Sequence, residues 1–232
     1  MNTVMSYVID KLGTPSVAVS GTDARFPVRR IYLVGRNYAA HAREMGHDPD
    51  REEPFFFQKP ADAILTDGRD FPYPPKSSDV HHEIELVVAL QTGGADIKES
   101  AALNNIYGYA VGIDMTRRDL QAQMKKAGRP WEIGKAFEHS APISAIKPAS
   151  ECGHPNQGRI WLNINGELRQ EGDLNQLIWS VPETIAFLSG LFTLAAGDLI
   201  FTGTPAGVGP VQRGDSITGG IEGVGELSLN VT

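Results

Sequence analysis

Three acids carry the first chemical information in this chain. Glu83 and Glu85 sit in HHEIELVVAL, and Asp114 ends YGYAVGID. Both segments are short, apolar and rich in β-branched or aromatic residues, which predicts strands. Residues i and i+2 of a strand share a face, so Glu83 and Glu85 should project together with Ile84 turned away. Carboxylates beside VVAL and YAVGI lose their water. An unpaired one costs several kcal/mol or takes up a proton. A hard divalent cation such as Mg²⁺ or Ca²⁺ resolves that conflict, because such ions prefer carboxylate oxygens. Taken alone, Glu-x-Glu reads more plainly as a solvated face or a pair of salt bridges. The third acid at a strand end is what favours a metal site.

Other groups cluster around these acids in the sequence. His41 and Glu44 lie three apart on a predicted helix in NYAAHAREMG, and so share a face. A carboxylate beside an imidazole raises its basicity and fixes its tautomer, a general-base arrangement; an ordinary surface pair has the same spacing. Lys59, after FFFQ, can pair with a structural acid or with an anionic substrate, and Lys135 in EIGKAF has the same two readings. Arg118 and Gln121 share a helix face close to Asp114, and an arginine can clamp a carboxylate with two hydrogen bonds. FTGTPAGVGP brings glycines and the hydroxyls of Thr202 and Thr204, a turn that can present N–H groups to an anion. It has neither the P-loop nor the dinucleotide-binding glycine spacing. His81 and His82 face opposite ways on a strand and are read as non-ligands.

These residues need a scaffold, and the chain spells out a strand-rich one. IYLVG (31–35), FFFQKP (55–60), the two acid-bearing segments and GDLIF (197–201) read as strands. RIWLNINGELRQ (159–170) reads as a hairpin about Asn165-Gly166. Helices are predicted at TRRDLQAQMKKAG (116–128), with Thr116 as the cap and Gly128 as the stop, and at VPETIAFLSGLF (181–192). Strands outnumber helices, and 25 Gly with 15 Pro supply turns. The expected fold is α+β and β-rich, a mixed β-sandwich or rolled sheet with a few short helices. A catalytic domain is expected over 30–232, after a short N-terminal extension, 1–29.

The 232 residues suit one or two domains with a substantial core. A net charge of −7, from 21 Lys+Arg against 28 Asp+Glu, disfavours nucleic acid and anionic membranes as partners. The single cysteine, Cys152, excludes an intramolecular disulfide and a four-thiolate zinc site. MNTVMSYVIDKLG lacks the cationic start and apolar core of a secretory signal, so a reducing cytoplasm is the expected setting.

Together, VGRNYAAHAREMG, FFFQKPADAI, HHEIELVVAL, GYAVGIDMTRRDLQ, GRPWEIGKAFEHSAPIS, IWLNINGELRQEG and GDLIFTGTPAGVGPV resemble the fumarylacetoacetate hydrolase family. They run in the family's order over about residues 31–232. The resemblance implies an acid triad of Glu83, Glu85 and Asp114 holding Mg²⁺ or Mn²⁺, or Ca²⁺ in a crystal. It implies a His41–Glu44 dyad on a mobile helix, and catalytic or substrate positions at Lys59, Arg118, Gln121, Lys135 and Thr204. The wording is most similar to the fumarylpyruvate hydrolase branch of gentisate breakdown. That implies hydrolytic cleavage of the C3–C4 bond of a 2,4-diketo acid to fumarate and pyruvate. Hydrolysis of another acylpyruvate and decarboxylation of oxaloacetate are the alternatives inside the family, and a binding module without turnover is the alternative outside it. A small-molecule substrate and a homodimer are implied as well.

Overall fold

The computed structural model describes residues 7–10, 12–39 and 52–232. His41 and Glu44 lie outside the described residues. At the centre is a six-stranded mixed sheet in the order Lys147–Pro148, Ile106–Ile113, Ile84–Leu90, Asp198–Phe201, Arg30–Gly35, Phe55–Lys59. Asp198–Phe201 runs antiparallel to Ile84–Leu90 and parallel to Arg30–Gly35, so a late strand joins two early ones. A second, four-stranded antiparallel sheet follows the order Glu167–Asp173, Arg159–Ile164, Ser216–Ile221, Gly225–Asn230.

The central sheet is covered on both faces, which explains why every residue of IELVVAL is buried rather than every other one. Leu86, Val88, Val111 and Ile200 pack with Ile160, Leu162, Ile217 and Leu229 of the second sheet and with Ile185 and Leu188 of the helix Val181–Leu191. Val87, Ala89, Ala110 and Phe201 face the other way, against Val17, Phe26 and Ile143. Val17 and Phe26 come from the short hairpin Ser16–Ala18/Arg25–Pro27, near the N-terminus. Burying a Val, Leu or Phe side chain stabilises by about 1.5–3 kcal/mol, so both layers hold the central strands in place. The architecture is the α+β, strand-rich one with few short helices that the sequence predicts.

Two differences from the sequence reading matter for the site. The segment HHEIELVVAL is two strands, Val80–His82 and Ile84–Leu90, with Glu83 in the break. Val80–His82 belongs to a three-stranded sheet with Gly209–Val211 and Thr116–Arg117. Ile106–Ile113 also gives way, at Asp114, to Thr116–Arg117 in that same small sheet. Two neighbouring strands therefore switch sheets together, and the backbone N–H of Asp114 donates to the Glu83 carbonyl at 2.8 Å across the corner. The second difference is the helix predicted from residue 116. It begins at Arg118, because Thr116 pairs with His81 as a strand residue and its hydroxyl serves the acids instead of capping.

The hairpin forms about Asn165 and Gly166, whose φ values of 53° and 81° suit a type I′ turn. Its second strand carries a bulge. Leu162 opposes Gln170 and Asn163 opposes Leu168, leaving Arg169 as the extra residue. The bulge turns Gln170 inward, and it is the one residue of Glu167–Asp173 that is fully buried.

Candidate active site

The sheet-switching corner puts Glu83 and Asp114 beside Glu85, the second residue of its strand. All three are buried, and one carboxylate oxygen from each lies within 4.8 Å of the others. Three cations answer them. Lys59 Nζ is 2.9 Å from Asp114 Oδ1, and it donates to the carbonyls of Met115 and Lys135. Lys135 Nζ sits 3.0 Å from Glu83 Oε2, 2.6 Å from Asp114 Oδ2 and 2.7 Å from Thr116 Oγ1. Arg118 Nη2 pairs with Glu83 Oε1, while Nη1 donates to Gln121 Oε1 at 2.6 Å. The two lysines and the acids they meet are buried, and Arg118 is partly so; paired charge is what removal from water requires.

Glu85 differs from its neighbours. Oε2 accepts the backbone N–H of Gly203 at 2.7 Å, and no cation is paired with it among the described residues. Burial, followed by the negative charge of Asp114 and Glu83, pushes its carboxyl well above the ordinary range. Burial likewise lowers the Lys59 ammonium to about 8, against the opposing pull of Asp114. Three clustered carboxylates with one held against ionisation form a donor set that fits a divalent cation. The oxygens match a hard ion, and its charge would relieve Glu85.

A cleft opens onto the acids. Val34, Phe55, Phe57 and Trp131 supply its apolar wall, and Glu83, Glu85, Arg118, Gln121, Lys135 and Thr204 its polar one. Six of the residues singled out in the sequence thus meet in one cleft. Asp114 and Lys59 lie behind it. Lys59 is 2 % exposed and turned toward Asp114, so of its two readings the geometry favours the structural one. Lys135 is bound to two acids, as its structural reading expects, and it also lines the cleft.

The glycine-rich turn does present an N–H to an anion, and that anion is the protein's own Glu85. Thr202 spends its hydroxyl on the Leu86 carbonyl at 3.0 Å, whereas Thr204 reaches the cleft. His81 contacts Asp79 at 2.8 Å and His82 contacts Gln170 at 2.9 Å, and neither joins the acid cluster. Arg117 and Asp119, on either side of Arg118, are engaged elsewhere. Arg117 lies over the Phe137 ring at 4.3 Å and Asp119 accepts from Ser77 and Ser78.

Several contributors gave little sign in the sequence. Thr116 reads as a helix cap and is instead an acid partner. Trp131 stacks edge-on against Phe55 with ring centroids 5.5 Å apart, closing the apolar wall from a loop with no periodic pattern. Gln170 falls in the predicted hairpin with nothing to single it out, and the bulge sends it inward.

The fumarylacetoacetate (FAA) hydrolase C-terminal family model matches residues 30–232. Among solved structures, the chain is similar to a fumarylpyruvate hydrolase from Pseudomonas aeruginosa in complex with Mn²⁺ and pyruvate. Identity is 54% with a TM-score of 0.96, covering 98% of this chain and 99% of that one. Among curated proteins it is similar to the mitochondrial oxaloacetate tautomerase FAHD1 of Mus musculus, at 44% identity over 203 residues, 88% of this chain and 91% of that protein. The Arabidopsis thaliana protein of the same name is 42% identical over 202 residues, 87% of this chain and 90% of that protein.

Proposed function

Because the chain belongs to the fumarylacetoacetate hydrolase family, we propose that it is a metal-dependent hydrolase of 2,4-diketo acids that cleaves fumarylpyruvate to fumarate and pyruvate. The observation that carries this reading is the buried trio Glu83, Glu85 and Asp114 facing a cleft whose polar wall includes Lys135, Gln121 and Thr204. The acyl group is supported by the 54% identity to a fumarylpyruvate hydrolase.

Glu83, Glu85 and Asp114 would hold Mn²⁺ or Mg²⁺. A divalent cation there supplies Lewis-acid stabilisation of negative charge on substrate oxygens. Lys135, anchored by Glu83 and Asp114, keeps a fixed positive charge at the cleft floor for those oxygens. Arg118, held by Glu83 and Gln121, braces the metal-side carboxylate and presents Gln121 to the cleft. Phe55, Phe57 and Trp131 enclose the acyl chain and exclude water from it. His41, with Glu44 raising its basicity, takes a proton from water, whose oxygen adds to C4. The C3–C4 electron pair then leaves with the pyruvyl fragment, which gains a proton at C3 to become pyruvate. Fumarate carries the new C–O bond, so one water is consumed for each substrate. A general base of this kind contributes roughly 10²- to 10⁴-fold.

The same reading takes 30–232 as the catalytic unit, the cytoplasm as the setting and gentisate breakdown as the pathway. It takes a homodimer as the assembly, the commonest closed arrangement of soluble chains. Among the described residues no helix is long and apolar enough to cross a membrane.

A second reading has its own support. The curated relatives at 42–44% identity are oxaloacetate tautomerases. Proton transfer between C2 oxygen and C3 of oxaloacetate would use the same charged floor without an attacking water. The two readings separate in one assay, the Mn²⁺-loaded protein offered fumarylpyruvate, acetylpyruvate and oxaloacetate in parallel. The hydrolase reading expects the highest kcat/KM for fumarylpyruvate, with loss of its conjugated absorbance and arrest by chelator. Faster keto–enol exchange or decarboxylation of oxaloacetate would overturn it.

A further inference from the structure

Behind the cleft lies a polar connection that the reaction as described does not use. Gln170 is fully buried and all its amide valences are taken. Oε1 is 3.0 Å from the Ile84 N–H and 2.9 Å from His82 Nδ1. Nε2 is 2.8 Å from Thr204 Oγ1 and 2.9 Å from the Pro205 carbonyl.

Two of these four partners work in one direction only. A backbone N–H donates and a carbonyl accepts, so Ile84 and Pro205 fix which end of the amide is oxygen and which is nitrogen. The other two partners then have no choice. His82 faces an oxygen, so Nδ1 carries its hydrogen. Thr204 faces an N–H, so its hydroxyl oxygen accepts. The hydroxyl hydrogen of Thr204 is therefore not used on Gln170, and no other protein acceptor lies on it among the described residues. Thr204 lines the cleft, beside Gly203 and Glu85.

We propose that Gln170 is a positioning residue that holds the Thr204 hydroxyl as a hydrogen-bond donor aimed into the cleft, toward an anionic or carbonyl oxygen of the substrate. This rests on the reading of the cleft as the substrate site. The fold is built to deliver that one side chain. The bulge at Arg169 turns Gln170 inward, and Gly207, with φ +90°, lets the glycine-rich turn lie on the bulge. A Cβ on Gly207 would fall 2.0 Å from the Arg169 carbonyl oxygen, so no other residue allows that approach. The amide also ties Ile84, between two of the acids, to the Thr204 turn, so both sides of the cleft share one anchor. A hydroxyl left free to rotate would spend part of its time as an acceptor. Fixed, it costs no reorganisation when charge develops on the substrate.

Gln170→Glu is the direct test. The shape is kept, but a carboxylate oxygen replaces the N–H₂, so Thr204 must turn its hydrogen away from the cleft to donate to it. With Mn²⁺ bound, kcat should fall by roughly 10²-fold, the loss typical of removing one donor from developing charge, with KM little changed. Thr204→Val should cost a similar factor, and the double variant no more than either single one. Wild-type kcat in Gln170→Glu, or losses that multiply in the double variant, would overturn the proposal. If Gln170→Glu does not fold, the wild-type protein still decides. Long-range ¹⁵N–¹H correlation on the Mg²⁺-loaded enzyme should show His82 protonated at Nδ1. Protonation at Nε2 means the amide is oriented the other way and Thr204 is not held as a donor. If wild type turns over none of the diketo acids, the functional reading fails, and the His82 tautomer tests the amide independently.

Discussion

At the corner where two strands change sheets, Lys59, Lys135 and Arg118 meet Asp114 and Glu83 with almost no water. Lys59 and Asp114 side chains are both 0 % exposed. On the outer sheet, Arg159–Glu171 and Arg169–Glu167 form ion pairs of similar length, 2.7 and 2.8 Å, with every side chain at least half exposed. The chemical groups and distances match, and the surroundings separate them. Exposed pairs gain little because water would serve each partner nearly as well. Buried pairs are committed, since removing one partner strands the other. The difference teaches that the corner is organised around charge that has nowhere else to go, and Glu85, with no paired cation among the described residues, is where that charge is left over.

Lys59→Met probes the contrast most strongly. It should lower the stability of the metal-free protein by about 3 kcal/mol in urea unfolding, the low end for breaking a buried pair because Asp114 keeps Lys135. A loss below about 1 kcal/mol would put the corner in the same class as the outer sheet. Glu85→Gln should weaken Mn²⁺ binding by more than about 100-fold in calorimetry, beyond the effect of losing an outer-shell partner. The metal-free variant should be no less stable than wild type, because a buried carboxylate lacking a cation has been neutralised. Unchanged Mn²⁺ affinity would remove Glu85 from the metal site. Arg159→Ala on the outer sheet should cost less than about 1 kcal/mol, and a larger loss would mean that exposed pairs here carry stability after all.

The smallest effect is expected from pH at another exposed pair. Hydrogen bonds from Arg25 hold the Asp67 carboxyl below its ordinary value of 3.8. A folded-state value below the unfolded one gives stability that is present at neutral pH and lost as pH falls through the folded value. Asp67→Asn should therefore lower stability slightly at neutral pH, leave it unchanged in strong acid, and so flatten the acid limb slightly below pH 3.8. A large change at neutral pH would contradict it.

The parts of this molecule legible in the sequence are those whose pattern is local. IYLVG, FFFQK, the hairpin about Asn165-Gly166 and the helix Val181–Leu191 follow from apolar runs and turn residues. Glu83, Glu85 and Asp114 were legible because a carboxylate beside VVAL is chemically expensive wherever the chain goes. The break at Glu83 was not, since nothing in HHEIEL marks where one sheet ends and another begins. Only the pairing of Val80–His82 with residues 209–211 decides it. Thr116 as an acid partner and Gln170 as an inward amide were hidden for the same reason. Each depends on a neighbour distant in sequence, and a one-residue bulge changes which way Gln170 faces.

The strand Asp198–Phe201 lies between Ile84–Leu90 and Arg30–Gly35, pairing Phe201 with both Val87 and Leu33. On the ribosome, then, the central sheet stays in two separate halves until residue 201 has emerged. Until that moment IELVVAL has an open edge of apolar strand, the kind of surface that invites wrong partners and chaperones. The Gly203 N–H that holds Glu85 arrives in the same late stretch. A nascent chain stalled before residue 198 therefore carries Glu85 without the Gly203 N–H that orients it.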